Sequence, residues 1–360
     1  MKRINSIIAL ASIYIGTVIG AGFASGQEII RFFGRYGYRG IFGVFVAMTL
    51  FSFIGTKTLV TIQKHKVKSF DELLSLYFQK KTKHYINLFF IVLLFVNFFV
   101  MLAGSGAIFK EHFNISFIYG VIIMGVCSYT VFITGIKGIA KANTILVPFL
   151  IGTIFCISFF VLRGNQFTFS HFRSEIFLHI SAFKIDITQF GWIGSAIVYV
   201  AFNSVGAIVV LSSTLPLISD QKAGFYGGIL GGIGLGLMAL IILLTLLVLY
   251  TSIIGLEVPM IAVAFSLGNF SKNLYSIVLL IAMFTTAITN GYSCVLRIVD
   301  VTKTNKNVIS TLMCIISIPM ATLGFKRLVN VFYPILGYLG VIFLVMLIVK
   351  SKMKNKDIHP

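Results

Sequence analysis

Two stretches of this chain set helix-weakening and hydrogen-bonding residues inside otherwise apolar sequence. Residues 16–26 read Gly-Thr-Val-Ile-Gly-Ala-Gly-Phe-Ala-Ser-Gly, and residues 199–207 read Tyr-Val-Ala-Phe-Asn-Ser-Val-Gly-Ala. Each glycine weakens a helix by about 1 kcal/mol relative to alanine, so the first stretch is expected to unwind at Gly20-Ala21-Gly22. Unwinding there would free N–H groups at the start of an outer half-helix, where the dipole carries about half a positive charge. Such donors receive anions, a carboxylate among them. A matching break near Ala201, Phe202 and Asn203 would turn freed carbonyls, of opposite partial charge, toward an ammonium group. These two ends suit an α-amino acid better than a sugar or an inorganic ion. The expected binding residues are Gly20, Ala21, Gly22, Phe23, Tyr199, Ala201, Phe202, Asn203 and Ser204, with Phe202 and Phe23 as walls. The competing reading is that Asn203 bonds a neighbouring helix and that Gly16 and Gly20 serve close helix packing.

Composition sets what must position these residues. Of 360 residues, 58% are apolar and 11% charged, and mean hydropathy is +1.00. Soluble domains carry about 25% charged residues, so soluble enzymes, nucleic-acid binders and secreted disulfide scaffolds are excluded. Apolar runs fall at about 6–30, 37–60, 85–109, 115–136, 141–162, 188–214, 224–252, 272–296, 307–324 and 328–349. Each approaches the length of a helical crossing, and backbone groups without water must be satisfied within the segment. The expectation is an all-α polytopic membrane protein with ten transmembrane helices forming one domain, 1–360. The four cysteines all lie in apolar runs without a CxxC pair, which favours buried thiols.

The net charge of +19 sits mostly between apolar runs and in the C-terminal tail, where positive-inside topology and anionic lipid account for it. That distribution places both termini in the cytoplasm of a multi-pass cell-membrane protein. Residues 6–162 and 188–349 form two blocks of five crossings, so the second must be inverted, a 5+5 inverted repeat with breaks in helices 1 and 6. Gly-interrupted segments at matching places in two halves point to a transporter site. The glycine run from Gly224 to Gly236 lacks polar company and reads as packing. Ser69-Phe70-Asp71-Glu72 has the capping-box pattern, and Leu73, Leu74 and Tyr77 follow at helical spacing, giving a short helix at the inner membrane interface.

Gly16-Thr17-Val18-Ile19-Gly20-Ala21-Gly22-Phe23 resembles the broken first helix of LeuT-fold transporters, and Ile19 to Phe23 is similar to the Gly-Ser-Gly signature of the amino acid–polyamine–organocation (APC) superfamily. The stretch through Ala24-Ser25-Gly26-Gln27-Glu28 and Arg31-Phe32-Phe33 resembles the YkvI-like bacterial membrane proteins. The resemblance implies a secondary active transporter. It also implies a sodium site: Ala282, Thr285 and Thr286 match the Ala-x-x-(Thr/Ser)-(Thr/Ser) element of sodium-coupled members, as Gly16 and Ile19 match the carbonyl donors of the first helix. The alternative is that these threonine hydroxyls bond their own helix carbonyls. Proton-coupled relatives carry a lysine on the fifth helix; Lys141 lies at the cytoplasmic end of that crossing, too shallow for the role, which favours sodium.

Glu28 is the one acid near the first break. It reads either as an interfacial carboxylate paired with Arg31 or as an outer gate facing Lys326 or Arg327. The ten acidic residues are scattered without a paired catalytic motif, which argues against a membrane enzyme and for a carrier of a small amino acid or related solute. No cofactor is expected beyond sodium as a coupling ion. A proton-coupled or uncoupled carrier, or a sensor that binds the solute without moving it, would share the same residues.

Overall fold

The computed structural model describes residues 2–135, 139–164 and 191–356, without the side chains of 139–144 and 352–356; Lys141 and the start of the fifth crossing thus fall outside what side-chain contacts describe. Every regular element among the described residues is helical. The first crossing is interrupted: α1 (Lys2–Val18) is followed by α2 (Ala21–Ala24) and α3 (Gln27–Phe32). Then come α4 (Tyr38–His65), α5 (Phe70–Tyr77), α6 (Lys80–Phe113), α7 (Phe117–Thr134) and α8 (Ile139–Gly164). The second block holds α9 (Gly191–Leu211), α10 (Gln221–Val248), the short α11 (Tyr250–Ile253) and α12 (Pro259–Phe265), α13 (Asn269–Thr302), α14 (Lys306–Ala321) and α15 (Phe325–Lys356). Eight of these, α4, α6, α7, α8, α9, α10, α13 and α15, are long and apolar enough to cross a membrane. The two other apolar segments fall just short as single helices, α1 at 17 residues and α14 at 16.

The glycines of α10 do what their lack of polar company suggested. A Cβ on Gly228 would stand 2.3 Å from Thr56 N, and one on Gly232 2.2 Å from Ser52 N. Side chains would therefore hold α10 and α4 apart, whereas glycine lets their backbones touch. The Ser52 hydroxyl then reaches across to the Ile229 carbonyl at 3.3 Å.

The capping box forms as read. Ser69 accepts from Glu72 N at 3.2 Å, and the Glu72 carboxylate accepts from Lys68 N at 2.7 Å. The destination of α5 differs from the expectation of a lipid-facing helix. Phe70, Leu73, Leu74 and Tyr77 are buried, with the Phe70 ring 4.9 Å from Phe90 of α6. An amphipathic face buries as well against protein as against lipid, and here α6 and α15 supply the partner.

The sixth crossing corrects the sequence reading. α9 is one uninterrupted helix from Gly191 to Leu211, with no break at Ala201, Phe202 or Asn203. Two features explain this. Gly206 is the single glycine of residues 199–207, where the first crossing gathers four over 16–26, and a single glycine costs only about 1 kcal/mol. In addition, Gly337 and Gly340 of α15 lie close against the Val198 and Ala201 carbonyls, packing that covers the backbone expected to open.

Candidate functional site

The break in the first crossing lies where the glycines placed it. The α1 ladder ends with Ile19 N bonded to Ile15 O at 2.8 Å, Gly20 N then bonds Val18 O at 2.9 Å, and α2 restarts with Ala24 N on Gly20 O at 3.0 Å. Gly20 is extended, at φ −105° and ψ −172°. The outer half is itself divided, which the sequence reading did not foresee. The Ser25 hydroxyl donates to Gly22 O at 2.6 Å and Gly26 takes φ 79°, closing α2 after four residues. Such left-handed glycines are a common helix stop. Met260 N of α12 donates to Ser25 O at 3.1 Å, so the start of α12 caps the bend.

This bend carries Glu28 back over the break. A Cβ on Gly22 would lie 2.0 Å from Glu28 Oε1 and 3.4 Å from the Tyr333 hydroxyl. Glu28 is 5% exposed, and the half-buried Asn203 lies beside its carboxyl. No Lys, Arg or His approaches it within ion-pair distance among the described residues, and Oε2 has no hydrogen-bond partner. Both polar atoms of the Gln27 amide and the Tyr199 hydroxyl are likewise buried and unpartnered. Aromatic rings wall the group: Phe202 stacks on Tyr333 with centroids 4.3 Å apart, and Tyr199 packs edge-on to Phe33 at 5.0 Å. Phe23 is fully buried.

The structure thus brings Gly22, Tyr199 and Asn203 around the Glu28 carboxyl, together with Tyr333 and the Phe202 ring stacked on it, whereas the Ser204 hydroxyl meets Tyr14 of α1. Neither Glu28 nor Tyr333 stands among the expected binding residues. Gly26 was the available signal for Glu28; Tyr333 sits in an apolar run that offers none. Asn203 also donates to Tyr199 O at 3.1 Å, a bond within its own helix. Because α2 has only four residues and the Glu28 carboxyl already lies at Gly22, an anion receptor at the start of a long outer half-helix is not what the geometry presents. The centre is a carboxyl among amides, hydroxyls and aromatic faces, suited to a cationic group.

The expected gate pairing does not form. Lys326 donates its backbone N–H to Glu257 Oε2 and its ammonium to Ile254 O, each at 2.6 Å, and Arg327 is exposed. Glu257 N in turn donates to Glu111 at 2.7 Å, so Glu111, Glu257 and Lys326 staple the segment between α11 and α12 to the C-terminal end of α6 and the N-terminal end of α15. Arg31 donates to Asn330 O at 3.1 Å. At the opposite end Arg3 pairs with Asp220 at 2.5 Å. Both ends of the bundle are thus tied, and the Glu28 carboxyl lies buried between them.

Of the proposed ion ligands, Ala282 and Thr285 are buried on α13, which packs on α2 and α8. Tyr275 of α13 donates to Ala24 O at 2.6 Å. The Thr285 hydroxyl donates to Ala282 O at 3.1 Å, and Asn290 donates to Thr286 O at 3.0 Å. Gly16 faces Val147 of α8, and Ile19 is buried at the break.

The fold these elements make is that of solved membrane transporters. A manganese transporter of Eremococcus coleocola superposes with a TM-score of 0.57 at 13% identity, over 96% of this chain and 78% of that one. MHP1, a nucleobase-cation-symport-1 family transporter in a closed conformation, gives 0.57 at 15% identity, over 92% and 74%. By sequence the chain is 28% identical over 354 residues to the uncharacterized membrane protein YkvI of Bacillus subtilis (strain 168), covering 98% of this chain and 99% of that protein. It is 26% identical over 337 residues to the uncharacterized protein YyaD of the same organism, covering 93% and 94%. No family model matches the chain.

Proposed function

We propose that this chain is a secondary active transporter of the APC superfamily, carrying a small amino acid or related organic solute across the cell membrane by alternating access. The observation that carries the reading is the set of buried, unpartnered polar atoms on Gln27, Glu28 and Tyr199 at the break. Leaving a buried polar group unpaired costs about 1–3 kcal/mol, so several at one helix interruption mark a place where a ligand completes the hydrogen bonding. The solute's ammonium group faces Glu28 and Asn203, and the Phe202–Tyr333 pair lines its side chain.

Ten crossings in two inverted blocks, with both termini cytoplasmic, accommodate α1–α3 and α14 as full crossings beside the eight long helices. Sodium is the proposed coupling ion, held by the Gly16, Ile19 and Ala282 carbonyls with the Thr285 and Thr286 hydroxyls. The contact of α13 with α2 supports this, since an ion there would tie the broken helix to α13. Transport rather than catalysis fits a centre with one carboxyl and no second titrating partner beyond tyrosines. A thermal-shift screen of amino acids with and without sodium tests the reading. A ligand at a hundredfold excess over its Kd raises apparent stability by about 2.7 kcal/mol. Failure of every amino acid to shift the protein, with or without sodium, would refute the substrate class.

A further inference from the structure

Glu28 presents a problem that the transport reading alone leaves standing. Its carboxyl is buried, lies on the bend between α2 and α3, and has one oxygen without any partner. The groups facing it from neighbouring elements are neutral: Tyr199 and Asn203 from α9, and Tyr333 from α15. α10 also packs on α3, but its titratable residues, Lys222 and Tyr226, sit in its first two turns, at the end away from Gly26. On α3 itself, Arg31 turns to the Asn330 carbonyl. An ionised carboxylate without a cation in such a place is far more costly than one in water. Something positive must therefore accompany the charge, or a proton must remove it.

We infer that the Glu28 carboxyl holds either a proton or the ammonium group of the transported solute, never both, so that the solute enters the centre in exchange for a proton. The inference rests on the reading of this cluster as the solute site. The balance is simple: the Glu28 O–H bond breaks, its proton leaves to water, and the carboxylate left behind accepts hydrogen bonds from the incoming ammonium. The centre carries no net charge from this group in either state. Both occupied forms can therefore pass through the closed arrangement, whereas the bare carboxylate is held back. A solute without an ammonium group cannot take the proton's place.

Infrared difference spectroscopy on the full chain in lipid at neutral pH tests this. The wild type should show a protonated-carboxyl band that Glu28→Gln lacks. L-alanine and its decarboxylated counterpart ethylamine should discharge the band and release protons into a weakly buffered medium; propionate, the deaminated counterpart, should do neither. Absence of the band in the wild type, or its persistence at saturating alanine and ethylamine, would overturn the inference. So would discharge by propionate. If Glu28→Gln fails to fold, Glu28→Asp serves as the reference, since moving the carboxyl should shift the band. Solute accumulation in proteoliposomes is read separately: a band that behaves as described in a protein that accumulates nothing refutes transport and leaves the Glu28 exchange intact.

Discussion

Glu28 lays its carboxyl against Gly22, six residues back along the chain, so closely that a Cβ on Gly22 would stand 2.0 Å from Oε1. The Glu28 side chain therefore requires glycine at position 22. Glu28→Gln keeps the volume and removes the charge, and should weaken solute binding by about 2–5 kcal/mol, the usual cost of removing one partner from a buried charged pair. That is at least about thirtyfold in Kd. Thermal stability should not fall, because a buried acid with an unpartnered oxygen has been replaced by an amide. Gly22→Val should abolish uptake by displacing the carboxyl while leaving the protein folded. Unchanged amino-acid affinity in both variants would remove the centre from the mechanism.

Two glycines separate packing from bending. Gly206 has no atom within 4 Å of where a Cβ would be added, and α9 runs through it unbroken. Gly206→Ala should raise stability by up to about 1 kcal/mol and preserve uptake. Gly232→Ala would drive a methyl into the Ser52 backbone and should cost about 1–3 kcal/mol. Thermal melts of the two variants decide this. Loss of uptake in Gly206→Ala would mean that the sixth crossing must bend during the cycle.

How far the sequence reached can be seen at these same residues. The eight long apolar helices were legible because lipid demands long apolar runs, and the first break was legible because four glycines gather there. The sixth crossing misled because Ser204-Val205-Gly206-Ala207 resembles Val18-Ile19-Gly20-Ala21, yet its backbone is covered by Gly337 and Gly340, which lie more than 130 positions away. Glu28 falls toward the outer end only if the half-helix after the break is taken as undivided. The turn at Ser25 and Gly26 reverses that, and only its φ of 79° makes the reversal plain. Lys326 was given the wrong acid for a similar reason: Glu257 reaches it across a loop whose path no local pattern specifies.

At the end of the bundle proposed as cytoplasmic, Asp220 caps α10 through Ala223 N at 2.7 Å and pairs with Arg3. The Ala223 N–H, opposed by some desolvation, and then Arg3 and Lys222 hold its carboxyl below the usual carboxylate range. A depressed value means the tie is fully present above the ordinary carboxylate pKa and is lost as pH falls through the lowered one. Asp220→Asn retains the cap but removes the ion pair, and exposed pairs are worth little. A cysteine at Ser204 should therefore label only several-fold faster from the inner face in this variant, and without the acid-dependent rise shown by the parent. Faster labelling from the outer face instead would reverse the proposed orientation.

The ion site makes its own forecast. Thr285→Ala with Thr286→Ala removes two neutral oxygens without changing charge, and the hydroxyl bond to Ala282 O at 3.1 Å goes with them. Sodium should then no longer enhance solute binding, while binding without sodium should change less than about threefold, under about 0.7 kcal/mol. Calorimetric titration with and without sodium reads both quantities. Sodium dependence equal to the parent's would place the ion elsewhere.

The central claim is that the closed centre at Glu28 serves a carrier and not a fixed receptor. Purified protein in proteoliposomes, given a radiolabelled amino acid that shifts its melting temperature, decides this by the number of solute molecules retained per protein as a sodium gradient is applied. Accumulation well beyond one solute per protein is expected, collapsing when the gradient is dissipated and absent in Glu28→Gln. Retention that stops at one per protein and ignores the gradient would contradict it and make the chain a sensor.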